Sequence, residues 1–576
     1  MTDSTRDQRD LNGQDHPWRH SVLVACVCVA GALFIVDALP GTTPASLFPW
    51  FPGNDIDAAM NLWLLERNLT LLREGHALGQ LERVFTTGAF WPYTNTLAWS
   101  DHWLMATPVY GALRLALSAS QAFAALIAVC LATNTLACYR LTRHGSAQPL
   151  PRLAAAGLAS LSLAVVARIG HAQLMPAFAG ILAMDTLLGA DLASRAPRRW
   201  RAFIGALVVP VAWLQLQVAI GFYLGVFFAL ACTGTFGVLV IRRWLQETHA
   251  STSPAAAFLA PRTPRWPWYA SNAALLAVNG VIYRQYAQAA AELGPRSWNE
   301  VSTMVPRAWS YGYNAFATVE RVSLPAPVQF ASPLPGPVWE HSLFPGYAFA
   351  AALLAAALCW TRIRRRGALV GLTYGCGCLM LLTLGIGSLT EVWSLWRVLY
   401  ELVPGVSAIR SVARVGLILS WLAAPVLAAG LERWMTDRRG RVSVARWVAL
   451  GALWAVSTLS VPDDHRVNTT DYERRRQEAA HRLVSVVHDR GCVAFYVPTH
   501  PDTPGIDAWR WQVLAMWGAL AAQTPTVNGY SGHEPQGGWS TSMTPDDLDH
   551  YLEARGVPPA TRSRVCHIPP DRMLPR

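Results

Sequence analysis

The apolar part of the chain begins with Ser21-Val-Leu-Val-Ala-Cys-Val-Cys-Val-Ala-Gly-Ala-Leu-Phe-Ile-Val-Asp-Ala-Leu39, and Pro52-Gly-Asn-Asp-Ile-Asp57 follows a short distance behind it. The first stretch is long and apolar enough to cross about 30 Å of hydrocarbon as one helix. The second stretch places two carboxylates, Asp55 and Asp57, just outside the end of that helix. Together they indicate a membrane protein with an acidic pair at the membrane surface.

Composition and charge place the whole chain in the same class. Of its 576 residues, 52% are hydrophobic and 14% are charged, and the mean hydropathy is +0.25. Soluble domains carry about 25% charged residues, so this chain needs lipid to cover its apolar surface. The 47 Lys and Arg outnumber the 36 Asp and Glu. Because the arginines lie in short clusters between apolar runs, they indicate cytoplasmic loops and not nucleic-acid binding.

Eleven apolar runs predict membrane spans. With the N-terminus in the cytoplasm, every arginine cluster between them falls on the cytoplasmic side. The run 102–117 is not counted, because it contains Pro108 and Arg114 and would invert that pattern. We expect a juxtamembrane or re-entrant helix there. The predicted spans lie near 21–39, 119–139, 150–167, 174–193, 202–219, 221–241, 269–286, 346–361, 367–387, 412–431 and 443–460.

The sequence predicts three parts. Residues 1–20 are polar and form a disordered cytoplasmic tail, with no cleaved signal peptide evident. Residues 21–460 form an all-α polytopic membrane domain whose main outer loops are 40–118 and 287–345. Residues 461–576 have the composition of a small extracytoplasmic α/β domain. In this C-terminal domain, helices are expected near 471–489, 507–523 and 545–555, and a strand is expected at 493–497. In the outer loop 40–118, an amphipathic helix is expected near 57–74.

Cysteine positions agree with this assignment of sides. Eight of the ten cysteines lie in predicted spans, where a free thiol behaves as a small hydrophobe. The other two, Cys492 and Cys566, fall in the predicted outer domain, and we expect them to form a disulfide in an oxidising compartment. The alternative is two unrelated buried thiols. No group of His and Cys has metal-ligand spacing.

Polar side chains recur at the outer ends of several predicted spans, although the topology does not depend on them. Ionisable residues at membrane depth are costly and mostly face a cavity or a substrate path. Each of these polar side chains also has an ordinary alternative role: a solvated loop charge, a polar group at the membrane interface or an anchor to lipid headgroups. The candidates are Asp55, Asp57, Asp101, His102, Arg168, His171, Gln173, Gln215, Gln217, Tyr223, Glu340, His341, Arg410 and Arg414.

Six segments spread over the chain form a recognisable set: Gly53-Asn-Asp-Ile-Asp57, Phe90-Trp-Pro-Tyr-Thr-Asn-Thr-Leu-Ala-Trp-Ser-Asp-His102, Arg168-Ile-Gly-His-Ala-Gln173, Glu340-His-Ser-Leu-Phe-Pro-Gly346, Val403-Pro-Gly-Val-Ser-Ala-Ile-Arg410 and Val527-Asn-Gly-Tyr-Ser-Gly532. They resemble segments of bacterial polytopic proteins with a GT-C-type glycosyltransferase architecture. These are uncharacterised or YfhO-like membrane proteins, which are related at a distance to the protein mannosyltransferase and aminoarabinose transferase families. Two positions depart from the group: Ser411-Val-Ala413 lacks its frequent proline, and Asp101 replaces a common Glu.

The resemblance implies a GT-C-like fold in a bacterial inner membrane. It also implies inverting transfer of a sugar from a polyprenyl-phosphate donor to an extracytoplasmic glycan or lipid acceptor. A carboxylate beside the acceptor hydroxyl takes its proton, and Asp55 is the first candidate for this base, with Asp57 second. Arg410 and Arg414 are expected to stabilise the leaving phosphate. The remaining expected substrate ligands are Asp101, His102, His171, Gln173, Gln217, Tyr223 and Glu340.

No cofactor is predicted. A divalent metal is compatible with the acid content, but no ligand set is evident, so we predict that none is required.

Two other functions stay open at this point. A transporter or flippase of lipid-linked glycans would show charged residues buried mid-span and related halves. The chain has no internal repeat, and Asp185 is its clearest mid-span acid. The other alternative is a non-catalytic accessory protein of envelope assembly.

Overall fold

A computed structural model describes residues 17–36, 48–53, 56–75, 81–193, 200–247, 266–314, 338–388, 391–403, 405–435, 443–458, 467–499 and 507–573. Over these residues the protein is mostly helical, with a few short strands. Asp55 and most of the predicted cytoplasmic tail lie outside the described residues.

The helices, in chain order, are α1 Pro17–Ile35, α2 Asp57–Arg73, α3 Leu81–Phe85, α4 Thr107–Leu113, α5 Ala119–Leu141, α6 Pro149–Ser160, α7 Leu163–Val166, α8 Phe178–Ala193, α9 Trp200–Ile220, α10 Phe222–Glu247, α11 Trp266–Leu293, α12 Trp298–Thr303, α13 Tyr347–Leu358, α14 Trp360–Ile363, α15 Gly367–Thr383, α16 Trp396–Leu402, α17 Val415–Leu422, α18 Ala424–Met435, α19 Val444–Thr458, α20 Thr469–Asp489, α21 Asp507–Ala522, α22 Pro545–Ala554 and α23 Pro559–Arg562. The strands are β1 Trp50–Phe51, β2 Gly385–Gly387, β3 Val392–Ser394, β4 Val467–Asn468, β5 Ala494–Tyr496 and β6 Val565–His567.

Each of the eleven predicted runs overlaps one or two helices, and the apolar helices make this a membrane protein. Within the described ranges, four segments are long and apolar enough to cross a membrane by themselves: Ala119–His144, Pro149–Val166, Ala172–Ala190 and Phe222–Arg242. The pair Val412–Leu422 and Ala424–Met435, bent by 42°, forms a fifth candidate. Further apolar helices are shorter: Val24–Ile35, Leu207–Ile220, Tyr347–Leu358, Gly367–Thr383 and Val444–Trp454. The number of eleven spans therefore stays a prediction.

The run 102–117, for which a juxtamembrane or re-entrant helix was expected, contains only the seven-residue helix α4. Such a helix is about 10 Å long, too short to cross hydrocarbon. The next helix starts sharply at Ser118, whose side chain accepts a hydrogen bond from the Gln121 N–H, while the Gln121 side chain accepts one from the Ser118 N–H. This reciprocal cap fixes the start of α5.

Helix α5 holds the loop that precedes α8 in place. The side chain of Asn134 is fully buried on α5. Its Nδ2 donates to the Met175 carbonyl at 2.6 Å, and its Oδ1 accepts from the Ala177 N–H at 3.0 Å. Because both backbone groups would otherwise be buried without partners, the amide fixes the loop that carries His171 and Gln173.

Asp185 on α8, the acid considered for a transporter, is fully buried but paired. Its carboxylate lies 2.8 Å from Arg140 Nε, 3.0 Å from Arg143 Nε and 3.1 Å from His144 Nε2. These three side chains belong to the basic stretch Arg140-Leu-Thr-Arg143-His144, which the arginine pattern predicts to lie on the cytoplasmic side. The buried acid is therefore neutralised by the loop beside it, as a structural ion cluster would be.

The C-terminal part contains the predicted elements as α20, β5, α21 and α22. Strands β5 and β6 pair in parallel, with Phe495 opposite Cys566. Helices α20 and α21 pack on this pair through the fully buried Ala479, Leu483 and Ala515. Cys492 and Cys566, the pair that the sequence predicts to be bonded, form a disulfide with Cα atoms 5.6 Å apart.

Three contacts join the C-terminal part to the first outer loop. Strand β1 pairs with β4 in antiparallel register, Trp50 opposite Asn468. The indole of Trp63 on α2 donates to the Met516 carbonyl on α21 at 2.8 Å. The segment that begins at Thr526 runs beside the segment that begins at Gly88, and the Thr526 N–H donates to the Gly88 carbonyl at 2.8 Å. These joints bring two distant stretches of sequence to one place.

Candidate functional site

Gly53 brings the first outer loop against the loop between α7 and α8. Its φ is +89°, and a Cβ at this position would lie 2.3 Å from the Gly170 Cα. Only glycine accepts both the left-handed backbone and this approach. Four residues later Asp57 opens α2, where the positive end of the helix dipole favours a carboxylate. The contact places Asp57 beside the loop that carries His171.

The Asp57 carboxylate lies between a tyrosine and a histidine. The hydroxyl of Tyr530 donates to Asp57 Oδ1 at 2.7 Å, and His171 Nε2 lies 3.8 Å from Asp57 Oδ2. Burial, followed by the charge of Asp57, raises the pKa of Tyr530, so the phenol stays protonated and donates. Burial lowers the pKa of His171 although Asp57 opposes the shift, so the imidazole is neutral at pH 7.

One helical turn beyond Asp57, the fully buried Asn61 ties three elements together. Its Nδ2 donates to Gln173 Oε1 at 2.9 Å, and its Oδ1 accepts from the indole N–H of Trp103 at 2.7 Å. Buried polar groups that are satisfied in this way rigidify their surroundings. Asp57, Asn61, His171, Gln173 and Tyr530, which we term the Asp57 cluster, are therefore held by a connected set of contacts.

A second group surrounds Arg414, just before α17. Its Nη2 lies 2.7 Å from Glu340 Oε1, and its Nε lies 3.4 Å from Glu340 Oε2. The side chains are 7% and 3% exposed. Burial alone would raise the pKa of Glu340, but the charges of Arg414 and Arg168 and the hydrogen bond from Arg414 hold it well below its usual value. Glu340 is therefore ionised and neutralises Arg414.

Arg168 anchors the same group from the loop after α7. Its guanidinium donates to the Ser342 carbonyl at 2.7 Å and to the Glu340 carbonyl at 2.6 Å. It also lies 3.9 Å from a Glu340 carboxylate oxygen. Because most of its donors are used on backbone carbonyls, Arg168 fixes the turn at 338–341 more than it offers a binding surface.

Tyr223 and Asp101 complete the surroundings of Arg414. The Arg414 Cζ lies 4.9 Å from the centre of the Tyr223 ring, and the Ser411 N–H donates to the Tyr223 hydroxyl. Burial raises the pKa of Asp101 to about 6, and Arg414 opposes this shift. These residues, with Glu340 and Arg168, form what we term the Arg414 group, and His171 connects it electrostatically to the Asp57 cluster.

Arg410 has different surroundings from Arg414. Its side chain is 37% exposed, and its Nη1 lies 3.8 Å from Glu300 Oε1. Glu300 is itself 2.7 Å from Arg296 Nη1, and Arg296 also donates to the Gly532 carbonyl. Burial, followed by the charges of Arg296 and Arg410, lowers the pKa of His533 to about 3. The half-exposed Arg410 therefore lies beside the C-terminal segment that carries Tyr530.

Two predicted ligands have other contacts. Gln217 is fully buried, and its amide accepts from the Gly180 N–H and donates to the Pro176 carbonyl, both at 2.9 Å. It braces α9 against α8. His102 is buried, and its Nδ1 accepts from the Leu104 N–H at 3.1 Å. Burial lowers its pKa to about 4, so its ring is neutral.

Sequence reasoning missed Tyr530, Asn61, Arg296 and Glu300. Tyr530 lies inside Val527-Asn-Gly-Tyr-Ser-Gly532, one of the six segments, but nothing in the sequence distinguishes Tyr530 within that segment. Asn61 follows Asp57 by four positions, which places both on one face of a helix. The pair Arg296 and Glu300 has the same spacing. In the described residues, no three His, Cys, Asp or Glu side chains form a metal site.

Comparisons with known proteins give a structural likeness only. No protein-family model and no curated protein sequence matches the chain. An oligosaccharyltransferase AglB from the archaeon Archaeoglobus fulgidus, solved with an inhibitory peptide and a dolichol-phosphate, is 12% identical. Its match covers 89% of this chain and 65% of that chain, with a TM-score of 0.44.

The oligosaccharyltransferase of the same organism tethered to an acceptor peptide is also 12% identical, with 89% and 64% coverage and a TM-score of 0.45. The chain thus spans less than two thirds of those proteins. Both neighbours are oligosaccharyltransferases, and they give no support to the YfhO-like assignment.

Proposed function

We propose that this chain is an integral-membrane glycosyltransferase of the GT-C type. It would move a sugar from a polyprenyl-phosphate donor to an extracytoplasmic glycan or lipid acceptor, with inversion at the anomeric carbon. The observation that carries the proposal is the meeting of a carboxylate and a half-exposed guanidinium at one place. The Tyr530 hydroxyl donates to Asp57 at 2.7 Å. Arg410 lies 3.8 Å from Glu300, whose partner Arg296 donates to the Gly532 carbonyl, two residues after Tyr530.

The acceptor and the carboxylate account for the first half of the reaction. The acceptor hydroxyl oxygen forms a bond to the anomeric carbon while its proton passes to an aspartate oxygen. Asp57 has the surroundings for this role, because Tyr530 orients its carboxylate and the neutral His171 does not compete as an acid. Asp55, two residues earlier, remains the other proposed base.

The donor phosphate and Arg410 account for the second half. The bond between the anomeric carbon and the phosphate oxygen breaks, and the electron pair leaves with the polyprenyl phosphate. A guanidinium stabilises this developing charge. Of the two predicted arginines, we assign the role to Arg410, because Arg414 is already neutralised by Glu340 in a buried pair.

Of the expected substrate ligands, five enter the proposal and would shape the sugar pocket: Asp101, His171, Gln173, Tyr223 and Glu340. His102 and Gln217, which have other contacts, do not enter it. The protein would lie in a bacterial inner membrane, with a cytoplasmic N-terminus and an extracytoplasmic C-terminal domain. It would need no cofactor beyond the lipid-linked substrate.

The test is transfer in proteoliposomes that contain a panel of radiolabelled polyprenyl-phosphate monosaccharides. We expect sugar release or transfer from at least one donor, and a loss of about 100-fold or more when the base is replaced in Asp55→Asn or Asp57→Asn. Asp471→Asn is the matched control, because Asp471 is an exposed acid in the first turn of α20. Full activity in both site variants would remove the base assignment, and a wild-type protein inert to every donor would count against the enzyme.

A further inference from the structure

The hairpin β2–β3 and helix α16 expose a continuous apolar surface beside α15. Ile386 and Trp393 face each other across the hairpin and are 64% and 63% exposed. On the adjoining segment, Leu395, Val398 and Leu402 are 41%, 50% and 74% exposed. Contiguous apolar patches of this kind mark contacts with a membrane or with another protein.

Helix α16 has three distinct faces at about 100° per residue. Leu395, Val398 and Leu402 share the exposed apolar face. A second face carries Arg397 and Glu401, whose charged groups are 2.8 Å apart and whose side chains are more than half exposed.

The third face of α16 is turned to the protein. Trp396 is fully buried there, and the Tyr400 ring contacts the Trp298 ring, with centroids 5.2 Å apart. A helix with one protein face, one charged face and one apolar face fits the boundary between water and hydrocarbon.

The position along the chain decides between a membrane and a protein partner. Strand β2 begins at Gly385, directly after the apolar helix α15 ends at Thr383. The other end of α15 adjoins the arginines Arg364–Arg366. In the predicted topology these arginines are cytoplasmic, which puts the hairpin at the opposite membrane surface. Exposed tryptophans such as Trp393 are typical of that depth.

We infer that the hairpin β2–β3 and α16 form a membrane-surface element whose apolar face contacts the acyl chains of the bilayer on the side of Arg410. The occupant of this surface is phospholipid. Arg397 and Glu401 lie at headgroup depth, in contact with water.

The back of this element supports the half-exposed arginine. The Tyr400 hydroxyl donates to the Arg296 carbonyl at 2.5 Å, and Arg296 pairs with Glu300, which faces Arg410. If the proposed function holds, a lipid-borne phosphate passes along this surface to reach Arg410. That last step rests on the proposed function, whereas the lipid contact itself does not.

The test places the photo-crosslinking residue p-benzoylphenylalanine at single positions of the full chain, reconstituted in phosphatidylethanolamine and phosphatidylglycerol vesicles. Replacement of Leu402 is expected to give lipid adducts by mass spectrometry, at a yield close to that from Leu354, a 61% exposed residue of α13. Replacement of the neighbouring Glu401 is the control, and we expect at least fivefold fewer lipid adducts there. Val398 provides a second position on the same face.

Equal lipid yields at 401 and 402 would overturn the inference, as would adducts at 398 and 402 formed with protein instead of lipid. Lipid adducts in a protein that shows no sugar transfer would retain the surface and reject the sugar-transfer proposal. The two failures are therefore distinguishable.

Discussion

Glu340 and Glu300 are each paired with an arginine, but water reaches them to different extents. The Glu340 side chain is 3% exposed and that of Glu300 is 36% exposed. A buried ion pair loses much of its Coulomb energy to desolvation, yet loss of one partner leaves an uncompensated charge. An exposed pair is screened by water and contributes little. The same residue type therefore has two different energetic roles around the site.

The substitution Glu340→Gln should lower the free energy of unfolding by roughly 3–5 kcal/mol, because it leaves Arg414 charged and buried without its partner. The measurement is thermal unfolding of the purified protein in detergent. Combining it with Arg414→Met should recover part of the loss, since the second change removes the unpaired charge.

Glu401→Gln is the matched control, because Glu401 and its partner Arg397 are 54% and 56% exposed, and we expect it to cost no more than about 1 kcal/mol. If Glu340→Gln melted at the wild-type temperature, Glu340 and Arg414 would not form the buried pair described above.

At the level of single residues, sequence indicated which side chains carry chemistry but not their partners. Arg410 and Arg414 are four positions apart and look equivalent in the sequence. Their difference arises from Glu340 and Glu300, which approach from two other segments. Gln217 shows the opposite case. The sequence predicts a substrate ligand at this helix end, but the Gln217 amide packs α9 against α8.

Between elements, the approach of residues 52–57 to residues 168–171 sets the distance from Asp57 to His171. The approach depends on Gly53, which has a left-handed backbone and lies against the Gly170 backbone. No periodicity in the sequence encodes a contact of this kind, since both loops are short and lack a regular apolar pattern.

The substitution Gly53→Ala should separate the two loops, because its Cβ would lie 2.3 Å from the Gly170 Cα. A displacement of about 1 Å in a catalytic geometry costs about 100-fold in rate. We expect a loss of that size in the proteoliposome transfer assay.

Gly405→Ala is the control for this change. Gly405 has a similar φ of +86°, but no heavy atom lies within 4 Å of its added Cβ. It therefore carries the backbone strain without the clash, and we expect near-normal transfer. Equal activity losses in the two variants would show that strain, and not the approach of the loops, is responsible.

The elements themselves followed well from the sequence, since apolar length and charge clusters are local properties. Helix α2 covers Asp57–Arg73, where an amphipathic helix was expected near 57–74, and α20 covers Thr469–Asp489, where one was expected near 471–489. Helix ends were harder to place. Helix α13 stops at Leu358, because the chain turns into the separate short helix α14 inside the predicted run 346–361.

Across the whole molecule, the disulfide between Cys492 and Cys566 closes a loop of 74 residues that includes Tyr530. Constraining an unfolded loop of that length stabilises the native state by about 4 kcal/mol. The double variant Cys492→Ser with Cys566→Ser should lose about this much in the free energy of unfolding. Thermal unfolding under non-reducing conditions is the measurement.

Cys378→Ser is the control for that pair, because Cys378 is an exposed free thiol. We expect its melting temperature to match the wild type. An unchanged melting temperature in the double variant would show that the bond contributes nothing to stability.

The sequence alone does not predict which distant segments of the chain contact each other. Tyr530 lies 473 positions after Asp57, yet the two share a hydrogen bond. Such a contact depends on how β1 pairs with β4 and on how the segment from Thr526 meets that from Gly88. Each is a tertiary contact without a local signature, so the sequence singles out the segment around Tyr530 but not its contact with Asp57.

The backbone hydrogen bond from Thr526 to Gly88 has a consequence for biosynthesis. A ribosome releases the residues around Asp57 early, and those around Tyr530 only after every predicted membrane helix has been made. A nascent chain therefore carries Asp57 without its hydroxyl partner until Tyr530 has been translated. The site is assembled only after that point, so termination before Tyr530 would leave an incomplete site.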